Sequence, residues 1–148
     1  MKKASSNLLL LDVNVLLALA WPNHQFHEAA TRALEARGDR WATCALTQLG
    51  FIRLSSNPAA IAGAKSPVEA ANLLAAMTGD PQHVYLEPLP PPTAAECLSA
   101  FESALGTRQV TDAYLLWLAR RNNATFVTFD RKLAHLGGSR TKIKVLGV

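Results

Sequence analysis

Leu8-Leu9-Leu10-Leu11-Asp12-Val13-Asn14 is the stretch from which the fold is read. Four consecutive leucines suit a short strand buried on both faces, because such a strand meets apolar neighbours above and below the sheet. The run then stops at an aspartate. A second stretch, Ala124 to Phe129, is β-rich and ends in the same way at Asp130. Trp41 to Leu46, Val84 to Leu89 and Ile143 to Val148 read as further strands.

Between these strands lie helical patterns. Val13 to Trp21 reads as a turn into a short helix stopped by Pro22, since the residue before a proline avoids helical geometry. His24 to Arg37 carries Phe26, Ala29, Ala30, Ala33 and Leu34 at helical spacing, with Gly38 as C-cap. Thr47 can cap a helix over 48–55. Ser66-Pro67 starts another, through Met77, with serine as cap and proline in the first turn. Thr93 to Leu105 and Thr111 to Arg121 complete the helices, the second strongly amphipathic. Arg131 to Leu136 is a helical turn closed by Gly137-Gly138. Strands alternating with helices imply an α/β fold: a central parallel sheet with helices on both faces. Right-handed crossovers then place every carboxyl end of a strand on one side, where such sheets bind their ligands.

The chain has 148 residues, 49% of them apolar, which makes one domain spanning 1–148 with a core that needs no staples. Pro90-Pro91-Pro92 is a stiff connector within that domain, because too little chain follows it for a second one. The formal charge of +4 suits a polyanionic partner. Cys44 and Cys97 have neither CxxC spacing nor a zinc pattern, and read as small buried residues of a reduced protein. Lys2, Lys3 and the apolar run to Trp21 superficially resemble a secretion signal, but Asp12 and Asn14 interrupt it, and it is too short and polar to span a membrane. The expected location is the cytoplasm.

The chemistry is carried by acids. Asp12 and Asp130 leave two strands at the carboxyl edge of the sheet. Asp112 opens an amphipathic helix, where the helix dipole favours an acid and is expected to keep it ionised. A strand-end aspartate is often just a turn cap, and a helix-start acid is commoner still. A carboxylate within the most apolar stretch of the chain is nevertheless costly unless it is used. Three converging carboxylates repel one another unless a cation sits between them. Oxygen-only ligands suit Mg²⁺ or Mn²⁺, which can activate water and steady charge on phosphorus.

Four segments, taken in order, resemble one known family. Leu8 to Ala18, containing Asp12 and Asn14, resembles the opening motif of PIN domains. Thr47-Gln48-Leu49-Gly50-Phe51-Ile52-Arg53 resembles the second motif of VapC-like toxins. Val110-Thr111-Asp112-Ala113 resembles the third motif, and Phe126-Val127-Thr128-Phe129-Asp130-Arg131-Lys132 the last. The resemblance implies a PIN-like three-layer α/β/α domain. It implies Mg²⁺- or Mn²⁺-dependent RNA cleavage by the toxin of a toxin–antitoxin pair. Asp12, Asp112 and Asp130 match its metal-binding acids; Asn14 and Thr128 match polar positions that orient ligands. A homodimer and a cognate antitoxin whose tail enters the cleft are implied as well. One departure stands out: Gln48 occupies a position where the family usually has glutamate. An amide brings an acceptor oxygen but no charge, which implies a site that holds one metal more weakly or lacks a second.

Arg120, Arg121, Arg131, Lys132, Arg140, Lys142 and Lys144 accompany a single acid, Asp130, late in the chain. Arg131 and Lys132 directly follow a candidate metal ligand and are placed to hold RNA phosphates; Arg53 can do the same or anchor the antitoxin. His24 and His27 share a helix start without a third ligand and read as surface residues, as do His83 and His135 as surface or structural ones. Trp21, Trp41 and Trp117 read as core. Two rival readings stand beside the nuclease. A phospho-accepting aspartate domain would show a second acid next to Asp12 and a conspicuous late lysine. A non-catalytic RNA- or antitoxin-binding PIN-like module is the reading that Gln48 suggests.

Overall fold

The computed structural model describes residues 7–35, 39–87, 90–102, 104, 106–136 and 142–147. They form a five-stranded sheet of order β3-β2-β1-β4-β5, with β1 Leu8–Leu11, β2 Arg40–Cys44, β3 His83–Leu86, β4 Thr125–Thr128 and β5 Ile143–Val145. Every pairing is parallel. The leucine run is therefore the central strand, flanked by β2 and β4. Leu10 and Leu11 are wholly buried, one on each face, and each such side chain contributes about 2 kcal/mol.

Helices cover both faces. α1 (Val13–Ala20), α2 (His27–Glu35), α3 (Ala45–Ser55) and α4 (Pro67–Thr78) belong to the side of Leu9, Leu11, Trp41 and Val127. The short α5 (Ala95–Leu98) and α6 (Val110–Arg121) belong to the side of Leu10, Ala42 and Phe126. The three tryptophans are each less than 9% exposed, and both cysteines are buried and free. No described helix is long and apolar enough to cross a membrane.

Local chemistry explains several shifts from the sequence reading. β2 ends at Cys44 rather than Leu46, and α3 begins earlier. Thr47 is not the cap but the third helical residue, its hydroxyl reaching back to the Cys44 backbone N–H at 3.0 Å, the reciprocal half of a capping box. Ser66 caps α4 as expected, with Glu69 returning the bond. α2 starts at His27, because His24 Nδ1 accepts the Phe26 N–H and turns the chain. The helix expected over Thr93–Leu105 is instead α5 followed by a 3₁₀ turn, Ser99–Phe101. α6 is not amphipathic along its middle: Ala113 to Ala119 are all buried, since the sheet packs on one side and the α5 segment on the other. Gly38, Leu89, Leu105, Gly137, Gly138, Arg140 and Val148 lie outside the described residues.

Candidate active site

The carboxyl edge of the central strands carries the acids. Asp12 leaves β1 and still donates its backbone N–H to Val127 O at 2.9 Å, extending the ladder by one residue. Its extended backbone (φ −61°, ψ 154°) makes it the N-cap of α1, and Oδ1 accepts from Val13 N at 2.8 Å. The other oxygen, Oδ2, accepts the Thr128 hydroxyl at 2.6 Å. Thr128 is itself wholly buried at the end of β4. Its Oγ1 also accepts the backbone N–H of Asp130 at 3.0 Å. One buried hydroxyl therefore ties the Asp12 side chain to the Asp130 backbone, across the β1–β4 seam.

Asp130 is exposed and caps a 3₁₀ helix, Arg131–His135, by accepting the Lys132 N–H at 2.9 Å. Its turn-capping role is thus real and sits alongside its place in the cluster. Asp112 is the third residue of α6 and half-buried. Burial, then the negative charges of Asp12 and Asp130, push its carboxyl up to about 6. Desolvation and two like charges thus raise this acid despite its place in the first turn of α6, where the helix dipole favours the ionised form. Burial also raises the Asp12 carboxyl, opposed by its bonds from Thr128 and Val13, while Asp130 adds to the rise. Asp130 thus acts on Asp12, and both act on Asp112.

The remaining candidates fall into two groups. Asn14 is exposed in the first turn of α1, two residues after Asp12. Arg131 and Lys132 are exposed on the turn that follows Asp130, and Arg53 is exposed in the last turn of α3. Gln48 is different. Its Nε2 donates to Thr43 Oγ1 at 3.0 Å, so the amide is held from within the sheet rather than by the acids. Thr43 Oγ1 lies 2.8 Å from His83 Nε2. Sequence reading missed Thr43 and set His83 aside; the available signal was a lone hydroxyl inside the apolar strand Trp41–Leu46. Of the late basic residues, Arg121 is engaged by Glu96 and the Trp117 ring, and Lys142 by Asn123. His27 is structural, its Nδ1 lying 2.7 Å from Ala18 O.

Among the described residues, no three His, Cys, Asp or Glu side chains close a metal site by themselves. The donor set nonetheless fits a hard divalent cation. It is made of oxygens alone, and like charge raises the proton affinity of Asp12 and Asp112, as expected where a cation is the natural counter-charge. Mg²⁺ in particular takes one or two carboxylates and completes its shell with water and phosphate oxygens. Asp12, Asp112 and Asp130 are the residues that would hold it.

Comparison with known proteins places this geometry in context. Residues 9–139 match the PIN domain family. Ribonuclease VapC38 of Mycobacterium tuberculosis is 38% identical over 141 residues, covering 92% of this chain and 94% of that protein. Ribonuclease VapC39 of the same species is 40% identical over 126 residues, covering 84% and 90%. Among solved structures, a chain from the crystal structure of VapBC2 from Rickettsia felis, bound to a DNA fragment from their promoter, superposes with a TM-score of 0.63. At 13% identity it covers 95% of this chain and 99% of its own, a likeness of fold. The family match over most of the chain and the two ribonuclease relatives agree, and this chain belongs to the PIN domain family.

Proposed function

We propose that this protein is a divalent-metal-dependent endoribonuclease acting as the toxin of a toxin–antitoxin pair. The observation that carries the reading is the buried Thr128 hydroxyl tying the Asp12 carboxylate to the Asp130 backbone at the carboxyl rim of the sheet, with Asp112 close enough to be acted on by both charges. The ribonuclease names of relatives at 38–40% identity support it. Bound Mg²⁺ or Mn²⁺ would supply an activated water and counter-charge at phosphorus.

The chain's own residues set the stage for that chemistry. Thr128 donates to Asp12 Oδ2 and so fixes the carboxylate plane, leaving Oδ1 on the Val13 N–H side. Asp112 enters from the amino end of α6, on the far side of β1 from α3. Asn14 presents an exposed amide beside Asp12. Arg131 and Lys132 follow the last acid and hold backbone phosphates; Arg53 does so or anchors an antitoxin. An antitoxin protein and a second copy of the chain are the proposed partners, and the cytoplasm the proposed location.

The test is cleavage of single-stranded RNA with Mg²⁺ or Mn²⁺ and with EDTA. Wild type should cut only with metal. Asp12→Asn should abolish cleavage while circular dichroism remains native, because the amide removes the charge but keeps the shape. Retained cleavage by that variant would sink the assignment. The hydrogen bond from Gln48 into the sheet favours one second reading, a non-catalytic RNA- or antitoxin-binding module. Metal-independent RNA binding without cleavage by wild type would decide for it.

A further inference from the structure

Gln48 stands in the first turn of α3, at the carboxyl end of β2, next to the strand that carries Asp12. α3 packs tightly on the start of α1: a Cβ at Gly50 would come within 2.8 Å of Val13. Gln48 is therefore at the same carboxyl edge of the sheet as Asp12, yet its amide nitrogen is directed to Thr43 Oγ1, and Thr43 in turn meets His83 Nε2. Thr43 is wholly buried, and the described residues contain no buried side-chain polar atom without a partner. The amide oxygen of Gln48 has no hydrogen-bond partner among the described residues.

A threonine hydroxyl has one proton to give. Two self-consistent directions of the relay follow. In the first, Gln48 donates to Thr43, Thr43 donates to an unprotonated His83 Nε2, and the imidazole proton resides on Nδ1. In the second, His83 donates from Nε2, Thr43 donates to the Gln48 oxygen, and the amide nitrogen turns outward. His83 is half-buried against the Trp41 ring, with centroids 4.7 Å apart, and Asp80 is the charged group acting on it. Asp80 is itself held by Trp41 Nε1 at 2.9 Å and the Gln82 N–H at 3.0 Å. Burial outweighs Asp80 and disfavours the imidazolium, so the ring is neutral and either tautomer is open to it; the Gln48 amide, which turns its Nε2 rather than its oxygen to Thr43 Oγ1, corresponds to the first direction.

We propose that Thr43 and His83 are positioning residues for Gln48, a relay that points the amide oxygen outward so that it can accept from a metal ion or its bound water at the rim. The proposal rests on the nuclease reading for its purpose, but the direction of the relay does not depend on it. It gives the uncharged residue at position 48 a physical reason: an amide can donate inward to Thr43 while offering an acceptor outward. A glutamate can only accept. If it kept its bond to Thr43 it would force the hydroxyl to turn and His83 to donate from Nε2.

Two measurements on the whole chain test this. The first is the ¹⁵N ring spectrum of His83 in metal-free protein. Wild type should show a protonated Nδ1 and an unprotonated Nε2, and Gln48→Glu should move the proton to Nε2. A wild-type Nε2–H, or no change in Gln48→Glu, would overturn the relay. The second is Mn²⁺ titration by calorimetry, with folding followed by circular dichroism. Thr43→Ser should match wild type, and Thr43→Val should bind about tenfold more weakly, the usual effect of losing a residue that orients a metal-site group. Equal affinity in Thr43→Val would overturn the positioning role and leave the nuclease reading intact. A wild type that neither binds Mn²⁺ nor cuts RNA would overturn the nuclease reading and the role at the rim, while the ring spectrum still judges the relay direction.

Discussion

Asp112 shows most directly what a half-buried acid beside other acids costs a fold. Its carboxyl is raised from 3.8 to about 6 by burial and by Asp12 and Asp130. The sign of the linkage follows. A group that binds its proton more tightly when folded stabilises the fold fully below the unfolded value, and that stability is lost as pH rises through the folded value. The loss therefore falls between about pH 4 and pH 6, and metal-free protein at neutral pH carries a repulsion that it need not have. Asp112→Asn removes it. Because Asp112 is half exposed and screened by solvent, the gain is on the order of 1 kcal/mol, about 3 °C in Tm at pH 7.5 in EDTA. The difference from wild type should vanish near pH 4. A variant that melts lower than wild type at pH 7.5 would contradict the crowding of acids.

At the scale of elements, the site depends on how α1 and α3 meet. Val13 follows Asp12 directly, and Gly50 provides the clearance for it. Gly50→Ala would ordinarily favour a helix by about 1 kcal/mol. Here the new methyl group would meet Val13 Cγ2 at 2.8 Å, and valine is stiff at its first torsion. The expected net result is destabilisation of about 1–2 kcal/mol in urea unfolding, the cost of overpacking, together with reduced cleavage because the strain falls beside Asp12. Gly50→Ala combined with Val13→Ala should recover much of the loss. A Gly50→Ala protein as stable as wild type would show that the two helices yield easily and that their contact does not position the acid.

For the whole molecule, the proposed metal site would link ion binding to folding. Asp12, Asp112 and Asp130 come from sites 100 and 18 residues apart in the chain (112 − 12 and 130 − 112), so the unfolded chain has no assembled counterpart. An ion that binds only the folded form stabilises it in proportion to the logarithm of its concentration, by about 2.7 kcal/mol at a hundred times Kd. Melting curves should therefore rise with Mn²⁺ in wild type and stay flat in Asp12→Asn. A flat wild-type curve would remove the ion from the site. The net charge of +4 acts at this same scale by favouring association with polyanions, and Arg131 and Lys132 are the residues proposed to hold phosphates.

Strand, helix and order of elements were legible in residues such as Leu8–Leu11 and Ser66-Pro67, because burial on two faces and capping are local demands that leave local marks. The place of Asp12 at the end of the central strand was legible for a related reason: an aspartate ending a leucine run is conspicuous whatever surrounds it. Tertiary structure alone decided that α6 is buried throughout its middle, that the Asp112 carboxyl is raised, and that Gln48 turns inward to Thr43 and His83. Each of these depends on neighbours distant in the chain, and desolvation and hydrogen-bond direction are set by what those neighbours place around a group, which no short stretch of sequence contains.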